Sequence, residues 1–226
     1  MNKPGHQTNA AGPSAARGRV RYAAAGLALA GICFVLYPAI RPFSDEVTMQ
    51  GATAFASTQW LTAHVLAMVG FILTALGAAG LWLALSGTAV EGLAFRAAVL
   101  TAIGVGVTLP FYGGEAFGLH AIGQAALREN SSTILAISSD VRGGIGLVLF
   151  LLGLAAVGIG AIVLAVAMWR SALMSKWSGV PFAIGFALYI PQFFGTQPLR
   201  VAHGAVVAVG CIWIAYEMYR SNARAS

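Results

Sequence analysis

Long apolar stretches, separated by short polar segments, dominate the sequence from residue 22 onward. About 20 predominantly apolar residues are enough for a helix to cross the hydrocarbon core of a bilayer. Six stretches approach or exceed this length, at about 22–40, 60–85, 93–120, 142–169, 180–194 and 199–219. The sequence therefore predicts an all-α, polytopic transmembrane bundle of about six spans, occupying residues 19–220.

The scarcity of charge supports the same prediction. Only 9% of the 226 residues are charged, whereas 58% are hydrophobic. A soluble domain usually carries about 25% charged residues, so lipid must replace water around much of this chain. The net charge of +6 is not gathered into a basic patch, so we expect the lipid bilayer and no nucleic acid as a partner. The composition leaves the oligomeric state open.

The stretch at 180–194 is the least regular of the six. It is short, and it contains Pro181 and Pro191, each of which lacks the backbone N–H that a helix uses. Two arrangements remain open, a kinked crossing and a partly re-entrant segment. If this stretch does not cross, the C-terminus lies on the opposite side of the membrane.

The basic residues predict the orientation. With both ends inside, nine lie on the cytoplasmic side and four outside, an excess typical of inside-facing loops. The cytoplasmic group is Lys3, Arg17, Arg19, Arg21, Arg96, Arg170, Lys176, Arg220 and Arg224, and the outer group is Arg41, Arg128, Arg142 and Arg200. We expect a multi-pass protein of the cell membrane, with a disordered tail at 1–18 and a short tail at 221–226 in the cytoplasm.

The predicted topology brings several ionisable residues into the outer half of the bundle. They are His64 near the start of the second span, Glu115 and His120 near the end of the third, Arg142 at the start of the fourth and His203 near the start of the sixth. Acidic groups within spans are costly in free energy, and they usually face the bundle interior beside a partner. For Glu115 that partner is expected to be Arg142, His64 or His203.

The sequence around Glu115 also predicts an irregular helix. Pro110 removes one backbone hydrogen bond, and the Gly113–Gly114 pair permits a bend. A broken helix beside an embedded carboxylate would suit a binding site, to which the adjacent Tyr112 would contribute. Glu115 is the candidate catalytic residue, as a proton donor or acceptor. A static ion pair with Arg142 is the alternative.

The cofactor question stays open at this point. Two histidines and one glutamate form a known set of zinc ligands, and paired histidines can hold a haem. However, the sequence has no metal-binding motif, and the ligands would come from three separate helices. The two cysteines, Cys33 and Cys211, are far apart in apolar stretches and form no redox or zinc motif.

The segment Gln59-Trp-Leu-Thr-Ala-His64, the glycine-rich helix after it and the stretch from Gly104 to Gly113 resemble a known layout. Small multi-span integral membrane proteins of actinobacterial type share this Trp-x-x-x-His start of the second helix. The resemblance implies a helical bundle and singles out Trp60 and His64. It implies no activity and no ligand.

Three functions remain open. The first is a polar site in the outer half that binds a ligand or performs acid–base chemistry on an apolar, lipid-like molecule. The second is a scaffold, sensor or partner subunit without enzymatic activity. The third is a small proton-coupled transporter. The sequence leaves open whether the protein is an enzyme.

Overall fold

The computed structural model describes residues 13–224, and within this range the chain forms helices and no strands. The α-helices are α1 Pro13–Ile40, α2 Met49–Ala56, α3 Thr58–Ala84, α4 Glu91–Gly113, α5 Leu119–Glu129, α6 Ser138–Val141, α7 Gly144–Ser171, α8 Val180–Ala187 and α9 Gln197–Arg224. A π-helical turn at Gly114–Gly118 and two 3-10 helices at Ser132–Ile137 and Pro191–Phe194 complete the fold. The predicted all-α class is confirmed.

Five of the described helices are long and apolar enough to cross a membrane. They are α1, α3, α7, α9 and the continuous helix Glu91–Glu129, which joins α4, the π-helical turn and α5. Fewer than half of the residues in the apolar part of each helix are buried, because many large apolar side chains lie on the outside of the bundle. Apolar residues on the outside are the arrangement that lipid favours over water. The chain is therefore a helical membrane protein.

The helix boundaries differ from the predicted ones mainly at the first and third spans. The first helix begins at Pro13, inside the predicted tail 1–18, whose residues 1–12 lie outside the described part of the chain, as do residues 225–226 of the C-terminal tail. The third span continues to Glu129, nine residues beyond the predicted end at His120. The chain after Glu129 forms two short helices, Ser132–Ile137 and Ser138–Val141, before α7 begins.

Six elements pack side by side in a closed ring, in the order α1, α3, α4, α7, α8, α9 and back to α1. Arg21 of α1 donates a hydrogen bond to Tyr219 of α9 at one end of the ring, which we call the terminal end. Gln197 of α9 donates to the carbonyl of Pro38 in α1 at the other end, which we call the site end. Neighbouring elements of the ring run in alternating directions.

The fifth element, which contains α8, runs from one end of the ring to the other although it is not one continuous helix. At the terminal end, the backbone N–H of Ser175 donates to Glu217 of α9. Further along, Gly185 lies against Val207, and Phe193 packs on Phe150 near the start of α7. The segment thus follows α7 and α9 from one end of the ring to the other. Six elements of the described chain therefore run between the two ends, and we call them crossings; five of them are helices long and apolar enough to span a membrane. The segment's regular helix α8 has only eight residues.

Small residues let these helices approach closely. The Cα of Gly104 in α4 faces the backbone of Gly153 and Val157 in α7. Thr101 and Thr108 lie along the same contact, and each hydroxyl donates to a carbonyl four residues earlier in its own helix. These two buried hydroxyl groups are therefore hydrogen-bonded within their own helix and need no partner on another helix. Close packing and satisfied polar groups are what stabilise helix association in lipid.

A second, smaller core caps the site end. Helix α2 packs on α5, and the buried residues between them and the start of α3 are Ala52, Phe55, Trp60, Leu119, Ala126 and Leu135. Gly123 of α5 faces the backbone of α2 so closely that a side chain would not fit. This cap holds the segment 41–48 against the end of the ring, where the candidate site lies.

Candidate functional site

Glu115 lies in the π-helical turn Gly114–Gly118, and only 9% of its surface is exposed. The predicted irregularity of the helix at Glu115 is confirmed, but the helix is not broken, because the backbone continues from Glu91 to Glu129 without interruption. A π-helical turn widens the helix by one residue, and such turns occur often at functional sites. Glu115 is buried within this turn, and a Cβ added at Gly114 would lie 3.1 Å from a methyl group of Val141.

Arg142 holds the Glu115 carboxylate at two points. Its Nε donates to Oε1 at 2.6 Å, and its Nη2 donates to Oε2 at 3.0 Å. Arg142 lies between the short helix α6 and the start of α7, so the pair links the third and fourth crossings. Two parallel hydrogen bonds between a guanidinium and a carboxylate are the strongest geometry for such a pair.

The network continues through Glu46 to Arg41. The Nη1 of Arg142 donates to Glu46 Oε2 at 2.5 Å, and the Nη2 of Arg41 donates to Glu46 Oε1 at 2.7 Å. Burial of Glu46 works against its ionisation, but the charges of Arg142 and Arg41 outweigh it and lower the pKa of Glu46. Burial likewise works against the charge of Arg142, but its hydrogen bonds and charge contacts with Glu115 and Glu46 raise its pKa.

The backbone at Glu46 is held in an uncommon conformation. Its φ of 58° lies in the left-handed region, which residues other than glycine seldom adopt. Asp45 accepts hydrogen bonds from the backbone of Val47 and Thr48 and from the Thr48 hydroxyl, and Gly51 packs directly on the Glu46 backbone. These contacts turn the Glu46 side chain back towards the two arginines.

His64 lies on the other side of Glu115. Its Nδ1 is 2.8 Å from the carbonyl oxygen of Trp60, so Nδ1 carries the proton that this hydrogen bond needs. Its other ring nitrogen, Nε2, lies 3.6 Å from Glu115 Oε2. The indole N–H of Trp60 donates to the backbone carbonyl of Glu115, and the guanidinium of Arg41 lies over the Trp60 ring. Helix α3 thus supports both Glu115 and Arg41.

Tyr112 lies one turn before Glu115, at the base of the site. Its hydroxyl oxygen is 3.3 Å from that of Tyr189, and its ring packs on Tyr37. All three tyrosines are buried. Below them, towards the terminal end, Phe34, Phe71 and Phe186 pack against one another. An aromatic layer therefore lies between the polar groups of the site and the terminal end of the ring.

The remaining two histidines lie elsewhere. His120 Nδ1 bonds to the Phe55 carbonyl, and its Nε2 contacts Gln124, so it ties α5 to α2. His203 Nε2 bonds to the Gly185 carbonyl and holds α9 to α8. The predicted outer group is therefore brought together only in part. Glu115, Arg142 and His64 meet, with Tyr112 beneath them, whereas His120 and His203 serve contacts between helices.

This geometry bears on the zinc and haem alternatives. Among residues 13–224, no group of three or more His, Cys, Asp and Glu side chains could hold a metal ion. A set of two histidines and Glu115 would need a second histidine beside His64, and both oxygens of Glu115 already accept hydrogen bonds from Arg142. The side chains at the site fit an ion-pair network better than a metal centre.

A cavity of about 600 Å³ lies against the network at the site end. Nine lining residues are polar or bear a hydroxyl group, and we call them together the polar wall: Tyr37, Arg41, Ser44, Asp45, Glu46, Tyr112, Glu115, Arg142 and Arg200. The eight apolar lining residues, which we call the apolar wall, are Phe43, Phe111, Leu147, Phe150, Leu151, Ile190, Phe193 and Phe194. The polar wall comes from the ends of α1, α4 and α9 and the loops beside them, and most of the apolar wall comes from α7 and the segment after α8.

Sequence reasoning missed Glu46, Arg41 and Arg200 as parts of the site. The signal for Arg41 and Arg200 was present, since both are basic residues at the same predicted side of the bundle. For Glu46 the signal was only local: a carboxylate five residues after Arg41, between Asp45 and the helix N-cap Thr48. Nothing in the sequence joins Glu46 to Arg142, which is 96 residues away.

Comparisons of the chain with known protein families, with curated proteins and with solved structures found no match. The function is therefore inferred from the residues of the site and the cavity beside them.

Proposed function

We propose that the protein binds an amphiphilic, lipid-like molecule in the cavity at the site end. The observation that carries the proposal is the division of the cavity into one polar and one apolar wall. A ligand with a polar head and an apolar tail would satisfy both walls. A volume of about 600 Å³ is within the range of small-molecule sites, about 300–1,000 Å³.

The apolar wall also supports a route from the bilayer. Leu147, Leu151 and Phe194 line the cavity and are among the exposed apolar residues of the bundle, Phe194 by 88%. On a membrane protein such exposed apolar residues face lipid. The tail of a ligand would then enter sideways, between the start of α7 and the 3-10 helix Pro191–Phe194, without leaving an apolar environment.

Binding is favoured over acid catalysis. A carboxylate held at two points by a guanidinium is ionised and can only accept hydrogen bonds. Glu115 in this state orients the donors of Arg142 and leaves no proton for an apolar substrate. Transfer of a proton would require Arg142 to move away first. The aromatic layer beneath Tyr112 similarly gives no support to a transport path through the ring.

We further propose that the site end faces outward across the cell membrane, with both ends of the chain in the cytoplasm. The support is the distribution of Lys and Arg among residues 13–224, eight at the terminal end against four at the site end. The cavity would then take its ligand from the outer leaflet.

Filling the apolar wall tests the proposal. Leu151 lines the cavity, whereas its neighbour Leu152 does not and is 61% exposed on the lipid side. Leu151→Trp places a larger side chain in the cavity, and Leu152→Trp adds the same bulk outside it. We expect native mass spectrometry of detergent-purified protein, incubated with a phospholipid extract, to show retained lipid on the wild type and Leu152→Trp. Leu151→Trp should lose most of it. Equal retention by all three proteins would overturn the proposal.

A further inference from the structure

We infer that the polar head of the ligand is an anion, such as a phosphate or carboxylate, bound between Arg41 and Arg200. This inference rests on the proposed amphiphile site and specifies its head group. It is argued from the two arginines that line the cavity beside Arg142.

Arg41 and Arg200 both lie close to the Phe43 ring. The guanidinium carbon of Arg41 lies 5.0 Å from the centre of this ring, and that of Arg200 lies 5.1 Å from the same centre. The two guanidinium groups are therefore within about 10 Å of each other, and the repulsion between like charges is stronger in a partly buried site than in water. An anion bound between them would relieve this repulsion.

The existing carboxylates do not fully neutralise this pair. Each oxygen of Glu46 accepts from a different arginine, Oε1 from Arg41 and Oε2 from Arg142, and both Glu115 oxygens accept from Arg142. Asp45, also at the cavity wall, accepts three hydrogen bonds from its own loop. Carboxylate oxygens are thus engaged, whereas donors remain in excess.

Among the described residues, Arg200 is the one of the three arginines at the cavity that forms no direct ion pair. Its Nε and Nη2 donate to the backbone carbonyls of Gly195 and Phe193, which are neutral. Within the described part of the chain it forms no ion pair with a carboxylate. Arg41 pairs with Glu46 through one nitrogen only, and a guanidinium has five N–H donors. The free donors of both side chains are suited to a phosphate or carboxylate, which guanidinium groups recognise well.

Four probes test the head group with the protein in phosphatidylcholine nanodiscs. Dodecyl phosphate, dodecyltrimethylammonium and dodecyl maltoside share one tail and differ in charge, and inorganic phosphate has the charge without the tail. The readout is the rise in unfolding temperature with probe concentration, which measures affinity for the folded state. We expect dodecyl phosphate to bind about tenfold more tightly than the other three, a difference of about 1.4 kcal/mol.

Substitution of the arginines should remove this preference. Arg200→Gln should bring dodecyl phosphate to within about threefold of dodecyl maltoside, and Arg200→Lys, which keeps the charge, should retain part of the preference. Arg41→Gln should act in the same direction. Arg128→Gln is the matched control, since Arg128 is exposed at the end of α5 and does not line the cavity; it should bind as the wild type does.

The outcomes separate the two proposals. If the three probes with a dodecyl tail bind equally tightly and Leu151→Trp still prevents their binding, the proposal of an anionic head group is wrong. The proposal of an amphiphile site is then still supported. Inorganic phosphate binding as tightly as dodecyl phosphate would support the arginine pair and overturn the lipid-like ligand. Loss of preference in Arg128→Gln to the same degree as in Arg200→Gln would overturn the assignment to Arg41 and Arg200.

Discussion

Arg142 donates to both carboxylate oxygens of Glu115 and, through its remaining terminal nitrogen, to Glu46. One guanidinium thereby joins the third crossing, the fourth crossing and the loop after the first. An ion pair of this kind has two roles that measurements can separate. It stabilises the site end of the bundle, and it holds the acidic side chains in an ionised, acceptor-only state.

The pair predicts a loss of stability when Glu115 is neutralised. Glu115→Gln removes the charge that faces a partly buried guanidinium, and hydrogen bonds to charged groups contribute about 1.5–3 kcal/mol each. We expect the free energy of unfolding, measured by titration with sodium dodecyl sulfate, to fall by about 2 kcal/mol. Glu129→Gln makes the same change at an exposed position on the end of α5 and should leave stability nearly unchanged.

The double variant Glu115→Gln/Arg142→Gln completes the cycle. If the two side chains stabilise the fold through each other, the double variant should be less destabilised than the sum of the single variants by about 1–3 kcal/mol. Simple addition of the two effects would show that the contact contributes nothing of its own.

The lowered pKa of Glu46 predicts how the stability of the fold depends on pH. Its pKa in the folded protein lies below the ordinary value of 4.5, so ionised Glu46 stabilises the fold fully above about pH 4.5. This contribution is lost as the pH falls through the lower, folded-state pKa. The wild type should therefore lose more stability than Glu46→Gln between pH 5 and about pH 3.

The comparison isolates Glu46 because every other titrating group is shared by the two proteins. Asp45, whose pKa is also lowered by hydrogen bonds from Thr48 and Val47, is present in both. Glu129→Gln serves as the control for loss of one carboxylate elsewhere. Parallel stability curves for wild type and Glu46→Gln across this range would contradict the network described around Arg142.

The contact between α4 and α7 predicts different effects for two neighbouring glycines. A Cβ at Gly104 would lie 2.7 Å from the carbonyl oxygen of Gly153 and 2.8 Å from the backbone nitrogen of Val157, whereas one at Gly106 would meet no atom within 4 Å. Gly104→Ala should cost about 1–3 kcal/mol, as overpacking does. Gly106→Ala should be neutral or slightly stabilising, since alanine favours a helix. Equal unfolding temperatures in detergent would contradict this packing.

The sequence predicted the fold better than the site, for a physical reason. The six crossings follow from the lengths of apolar stretches, and the close approach of helices follows from the abundance of glycine, both of which are local properties. The ion-pair network depends on how a loop folds. Glu46 reaches Arg142 only because its backbone takes a left-handed conformation and because α2 caps the ring. Neither feature has a periodic signature in the sequence.

Residues near Glu115 show the same limit. Pro110 and the glycine pair predicted a broken helix, whereas Pro110 and Gly113 lie in the regular helix α4 and the irregularity is a π-helical turn that begins at Gly114. Five consecutive residues are too few for any hydrophobic period to distinguish these outcomes. His203 was placed at the correct end of the bundle, but its direction along α9 is set by the path of α8, which the sequence left open.

The crossing at 180–194 can be tested with two cysteines. Lys176 is exposed at the terminal end and Thr196 is exposed at the site end, so they bracket this segment. The native thiols of Cys33 and Cys211 are buried and should not react. With a membrane-impermeant maleimide on intact cells, Thr196→Cys should be labelled and Lys176→Cys should be labelled only after permeabilisation. Labelling of both from one side would show that the segment re-enters, and the reverse pattern would invert the proposed orientation while preserving six crossings.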